Sequence, residues 1–291
     1  ADSGPRITFE GSWALQQTER TYEFLNAQDY ISYVRTAVSQ GPHPDYNFKD
    51  GYSASSGNTD NSIYSTRYLN PGEAVPAGYQ SMPDPLDPMK TLIFQDNSFV
   101  DEVFQNALWQ NYYIGLDGGT RKVRYTASMG YTDDAGVAVG TNFSRFSARS
   151  NADVQISDRL KFTAGFDFGQ TLTNAYASQH QVISRGLYCP PTQKIRNADG
   201  TPTPGYNASS PSPLYYAYLN DNDQKINKLG INGGLEWEII DGLKANATAS
   251  LYTSTATGDY FTRANKFNGT RPSSSDLTDQ QRKKLEGYLS Y

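Results

Sequence analysis

Glu236 and Glu238 stand two residues apart in "GLEWEII", a spacing that puts both carboxylates on one face of an extended chain, where they could work as an acid and base pair. A solvated face is the plainer reading, because the neighbouring segments carry charges in the same alternating places. The remaining reactive types are scattered. Cys189 is the single cysteine, sits in the Pro-rich "CPPT", and has neither histidine near it in sequence, so it reads as an unpaired loop residue, not as a nucleophile. His43 and His180 lie far apart with no acidic partner at ligand spacing, and no Gly-x-Ser-x-Gly elbow, His-Glu-x-x-His helix, phosphate loop or paired-cysteine motif occurs. The "DNDQ" at 221–224 offers oxygen ligands but lacks the glycine and closing glutamate of a calcium loop. No catalytic residue, metal or cofactor is expected, and the chain is not read as an enzyme. Recognition is the chemistry left: Tyr188, Tyr206, Tyr215, Tyr216 and Tyr218 cluster in one polar stretch and offer flat apolar faces with hydroxyl tips, suited to sugar rings or peptide backbones. Packing between loops is the duller explanation for any one of them.

Such residues need a scaffold, and the scaffold is written in period two. In "NYYIGLDGGTRKVRYTASMGY" (111–131), Val123, Tyr125, Ala127, Met129 and Tyr131 share one side of a strand and Lys122, Arg124, Thr126 and Ser128 the other. The tract Asp117-Gly118-Gly119 is expected to supply the positive backbone angles of a hairpin turn. The same alternation recurs at 6–16, 145–156, 161–169, 229–239 and 243–251, giving seven strands of about 9 to 12 residues, the span of a tilted strand crossing a bilayer. Tight joins at "DGGT", "SDRL" and "DGL" alternate with longer ones at 17–110, 132–142, 170–227 and 254–284. Alternation alone favours a soluble β-sandwich; strand length and the sorting of loops by side favour a membrane barrel, with short periplasmic turns and long extracellular loops.

Composition agrees. Twenty-two tyrosines in a chain only 37% hydrophobic describe a leucine-poor β protein, and no apolar run reaches the roughly 20 residues of a membrane helix. A net charge of -5 without a basic stripe argues against nucleic acid. In hydrocarbon every backbone polar group must be satisfied internally, so the expected barrel turns valines and aromatics to lipid and Arg124, Arg145, Arg149, Asp153, Asp167 and Glu236 to an aqueous lumen. Trp13, Trp109 and Trp237, with Tyr112, Tyr125 and Tyr131, are the candidate interface girdles. The first long loop is expected to hold one short helix, capped by Asn26 and burying Tyr30, Ile31, Val34 and Val38.

The stretch 116–162, with Gly118-Gly119, Tyr125, Ser128, Gly130-Tyr131, Gly136, Arg145, Arg149, Asn151 and Leu160-Lys161, resembles the first hairpins of the SusC/RagA family of TonB-linked outer-membrane transporters. "GPRITFEGSWALQQ" resembles the first barrel strand of that family and "EFLNAQDYISYV" the helix of its first long loop. The resemblance implies that residues 1–291 are the N-terminal part of a 22-stranded barrel, about seven or eight strands of it, with signal peptide, TonB-contacting segment and plug expected upstream of Ala1. It implies further a multi-pass protein of a Gram-negative outer membrane that imports oligosaccharides or peptides with TonB and a SusD-like lipoprotein. The lumenal charges would then pair with the plug, and the loop tyrosines would contact substrate or lid. Two other readings stay open: a soluble β-sandwich that binds ligand, and a structural outer-membrane barrel without transport. A complete eight-stranded barrel closing with "KLEGYLSY" is the rival within the barrel class.

Overall fold

A computed structural model describes residues 3–19, 23–40, 63–207 and 210–263. In chain order the elements are β1 (Ser3–Gln16), α1 (Ala27–Ser39), β2 (Arg67–Tyr68), β3 (Gln80–Asp84), β4 (Asp87–Phe94), α2 (Phe99–Val103), β5 (Ala107–Gly119), β6 (Val123–Ala135), β7 (Asn142–Ser157) and β8 (Leu160–Asn174). A π-turn (His180–Ser184), α3 (Arg185–Tyr188), β9 (Gly205–Asn207), β10 (Ser210–Pro211), α4 (Pro213–Leu219), β11 (Asn220–Ile240) and β12 (Leu243–Thr262) follow. The chain divides into a strand unit (1–18, 106–175, 222–260) and a loop unit (19–105, 176–221, 261–291).

The strand unit is one seven-stranded sheet in the order β1-β5-β6-β7-β8-β11-β12, an antiparallel meander in which every strand pairs with its predecessor in the sheet. All seven alternating segments are strands. The sheet is open, with β1 and β12 at its two edges. Its register carries one apolar row across six strands, Phe9, Ile114, Met129, Ala148, Phe168 and Leu229, and beside it a polar row, Thr8, Gly115, Ser128, Arg149, Asp167 and Gly230. Since side chains alternate strictly, a slip by one residue would exchange these rows, so each row holds the register of the next.

Connections at 120–122, 158–159 and 241–242 all close one end of the strands, while those at 17–106, 136–141 and 175–219 leave from the other. Strands run further than the alternation suggested: β11 reaches down to Asn220 and β12 up to Thr262, into stretches expected to be loop. Apolar residues are few in those ends and do not alternate, Ile226 standing alone and Tyr260 adjoining Phe261, so no period-two signal marks them. Residues 264–291, with the proposed final strand "KLEGYLSY", lie outside the described residues.

One turn departs from expectation. Asp117, Gly118 and Gly119 belong to β5, opposite Thr126, Tyr125 and Arg124, and neither glycine has a positive φ. The turn is made by Thr120, whose N–H donates to the Val123 carbonyl at 2.7 Å and whose Oγ1 accepts from the amides of Lys122 and Val123. The glycines are there for closeness: a Cβ on Gly119 would lie 2.5 Å from the Val123 carbonyl oxygen, and one on Gly118 2.7 Å from the Tyr125 hydroxyl. Gly242, at φ +85°, does serve a turn by left-handed backbone.

The loop unit is a folded body with its own core, which the sequence reading, with a single helix, underestimated. Asn26 caps α1, its Oδ1 accepting from the Asp29 amide at 2.8 Å. Ile31 is buried with Ala27, Leu92 and Phe94, against which Tyr68 and Met82 pack; Tyr30 and Val34 are half-buried, and the Val38 side chain lies outside the described residues. Leu92 and Phe94 come from β4, centre of a three-stranded sheet ordered β2-β4-β3. Segments of the first and third long connections pair with each other, Ser65 N–H donating to Thr192 O at 2.7 Å and Lys194 N–H to Ile63 O at 2.8 Å. Two stretches that looked like separate polar loops are thus one structure.

Candidate functional site

The sheet has two chemically opposite sides. On one, Ile7, Phe9, Met129, Phe146, Phe166, Ile231 and Leu235 are exposed, and Val123, Phe166 and Trp237 keep 38%, 38% and 49% of their surface. A β-sandwich would bury these residues in a shared interior. Below the row of Gly11, Tyr112, Tyr131 and Phe146, the apolar side continues through Val123 to the row of Leu160 and Trp237, a depth of about ten residues. At about 3.4 Å per residue and a tilt near 45°, that is roughly 24 Å, the height of the apolar band on membrane barrels.

Aromatic residues mark both margins. Trp13 meets Tyr112 edge to face at 5.8 Å and donates its indole N–H to the Tyr112 hydroxyl at 3.1 Å, with Tyr131 in the same row as Tyr112. Trp237 stands at the other margin, with Tyr125 two rows above it. Trp109 is not a girdle residue: it pairs with Ala14 and Asp134, which puts it on the polar side, because β5 presents even-numbered residues to the apolar side.

All six charged residues singled out in sequence, Arg124, Arg145, Arg149, Asp153, Asp167 and Glu236, share the polar side. Arg149 contacts Asp167 at 2.5 Å, Lys161 contacts Asp153 at 3.2 Å, Lys244 contacts Glu236 at 3.1 Å, and Arg6 contacts Asp117 at 3.1 Å. These pairs are solvated, so each contributes little to stability. They do cancel charge along the wall. Glu236, occupied by Lys244 and opposite Lys161, is held as one half of an ion pair, not poised as half of an acid and base couple. Lys228, opposite Gly169, is a further polar-side cation, at the border of the expected loop 170–227, where no alternation marks its side.

The tyrosines of the third connection separate on inspection. Tyr188 and Tyr218 are exposed, whereas Tyr215 and Tyr216 are half-buried; the Tyr206 side chain lies outside the described residues. Tyr215 and Tyr218 have ring centroids 6.5 Å apart, and the Arg263 guanidinium lies 5.2 Å from the Tyr218 ring while binding Asp221. Tyr188 lies 6.4 Å from the His180 ring. In "DNDQ" the two carboxylates are engaged separately, Asp221 by Arg263 and Asp223 by the Asn174 amide at 2.7 Å. Burial pushes the Cys189 thiol up to about 11, which makes it a poor nucleophile at neutral pH.

Comparison with known proteins fits this geometry. No family model matches the chain. It is 23% identical over 192 residues to the TonB-dependent receptor SusC of Bacteroides thetaiotaomicron, covering 66% of this chain and 14% of that protein. It is 28% identical over 157 residues to the TonB-dependent receptor P3 of Formosa agariphila, covering 51% and 16%. The RagAB peptide transporter superposes over 92% of this chain and 30% of its own, with TM-score 0.63 and 19% identity. The chain is SusC/RagA-like. Its open antiparallel sheet shares the fold of part of the RagAB transporter structure, and the matched stretch spans about a seventh of SusC's length.

Proposed function

We propose that this segment forms part of the wall of a TonB-energised importer in the outer membrane of a Gram-negative bacterium, and that the importer takes up oligosaccharides or peptides beneath a SusD-like surface lipoprotein. The segment is a transporter part, not an enzyme. One observation supports this most: a single sheet whose apolar side is exposed over a membrane-deep band while the other side is ion-paired and polar. The apolar band meets lipid there, the polar side lines the aqueous lumen and faces a plug, and the tight turns are periplasmic. The long connections are extracellular, where Tyr188, Tyr206, Tyr215, Tyr216 and Tyr218 contact substrate or the lipoprotein. Likeness to a peptide transporter favours peptides within that pair of substrate classes.

Cysteine labelling in cells tests the orientation, on a Cys189→Ser background. A cysteine at Phe166 is expected to react with a lipid-soluble maleimide and one at Arg149 with a membrane-impermeant, water-soluble one. The opposite pattern would overturn the assignment of sides. Loss of uptake on collapsing the proton-motive force, and co-purification of a lipoprotein with the full-length protein, test energy coupling and partner.

A further inference from the structure

Charge on the polar side is distributed unevenly. Toward the tight turns the cations have carboxylates: Arg6 with Asp117, Arg149 with Asp167, Lys161 with Asp153 and Lys244 with Glu236, while Arg124 faces Asp153 in register. Toward the long connections two exposed cations have no ion pair or hydrogen bond among the described residues. They are Arg145, between Thr132 and Thr171, and Lys228, opposite Gly169. Of the carboxylates diagonal to them, Asp167 is paired with Arg149, and Asp134, which accepts from the Gln16 amide at 2.9 Å on one oxygen, makes no ion pair with Arg145.

Between the two cations the sheet is low. Ser147 lies between Gly130 and Gly169, and a Cβ built on Gly169 meets nothing within 4 Å, so nothing in the sheet itself demands glycine there. Arg145 and Lys228 belong to strands two apart, about 10 Å laterally, a gap that a guanidinium and an ammonium on long side chains can close over one bound group. The hydroxyls of Thr171 and Ser147 add donors around the same floor, while the Thr132 hydroxyl already donates to the Asn111 side-chain oxygen at 2.9 Å. Two cations without ion pairs, flanked by two hydroxyls, select an anion, and the planar fork of arginine suits a carboxylate.

We propose that Arg145 and Lys228 form a carboxylate subsite on the lumenal wall, filled by an acidic group of the transported ligand. The subsite rests on the reading of this side as the lining of an import passage. It makes acidic molecules the preferred cargo and leaves the paired charges nearer the turns as a neutral stretch beyond it.

The test uses the full-length protein in detergent, with pentaglutamate as probe and pentaglutamine as its neutral control, by titration calorimetry at low salt. Pentaglutamate is expected to bind and pentaglutamine not to. The double variant Arg145→Gln/Lys228→Gln should weaken pentaglutamate tenfold or more, and Arg145→Lys should retain an intermediate affinity. Should the wild type ignore pentaglutamate, the assignment of a cargo carboxylate is overturned, and a lowered unfolding midpoint in the double variant would then mark the two cations as partners of the polypeptide's own carboxylates. Unchanged pentaglutamate binding in the double variant, or no effect in either measurement, overturns the subsite. Water-soluble maleimide labelling of Arg149→Cys on the same preparation reports separately on whether this side lines an aqueous passage.

Discussion

Arg35 and Asp84 show how much one pair of side chains can decide. Each keeps 1% of its side-chain surface, they meet at 2.8 Å, and Asp84 also accepts from the Tyr68 hydroxyl at 2.6 Å and from the Leu86 amide at 2.9 Å. Removing one partner strands the other charge in a dry core, so Asp84→Ala is expected to destabilise the loop unit by about 3–5 kcal/mol. Hydrogen exchange of the α1 and β4 amides reads this directly. The double change Arg35→Met/Asp84→Leu should recover most of the loss, since burying two apolar groups in place of a charge pair is commonly neutral. Glu73 makes a pH prediction. Hydrogen bonds from the Arg67 guanidinium, then from the Asn70 amide, hold its carboxyl down to about 2 from 4.5. A folded-state value below the unfolded one means the stabilisation is complete above about 4.5 and disappears as pH falls toward about 2. Exchange protection of the Asn70 amide should follow that window, and Glu73→Gln should abolish the dependence. Cys189 should label slowly with maleimide at pH 7 and accelerate toward pH 11, as its half-buried thiol ionises. None of these pairings is visible in sequence: Arg35 and Asp84 belong to separate elements, and only folding shows that each is the other's partner.

At the scale of the strand, alternation alone named all seven members of the sheet, and the register puts the six charged residues on one side of it. Alternation is this legible when the two sides of a sheet have opposite surroundings, as lipid and water do on a membrane barrel. Phe166→Arg puts a cation within the apolar band and is expected to cost about 2–4 kcal/mol, whereas Thr163→Arg, on the polar side, should fold like the wild type. Refolding into lipid vesicles with denaturant titration measures both. Where the band ends the signal ends, which is why 220–227 and 254–262 looked like loop and why Lys228, at the border, carried no signal of its own. Trp109 failed for a different reason. It sits in the polar rows above the band, where an aromatic residue carries no information about side, and only the pairing with Ala14 and Asp134 assigns it. The glycines of "DGGT" were misassigned because a sequence does not separate glycine needed for φ from glycine needed for closeness. Gly119→Ala drives a Cβ to 2.5 Å from the Val123 carbonyl and should loosen the β5–β6 hairpin, seen as faster exchange of the Thr120 amide.

For the whole molecule, alternation in seven segments was enough to give an antiparallel all-β sheet with one apolar and one polar side, because side chains of successive strand residues point to opposite faces. The resemblance at residues 116–162 pointed to the SusC/RagA-like assignment that the comparisons support. Tertiary structure alone decided the rest. It joined 63–66 to 192–194 across more than a hundred residues, built a buried core from α1 and β4, and left Arg145 and Lys228 without an ion pair among the described residues. The physical reason is range. Period-two patterning records what each residue meets in its immediate solvent, which is local, whereas partnership between side chains depends on chain segments brought together from far apart, and that is settled only when the backbone has closed its hydrogen bonds.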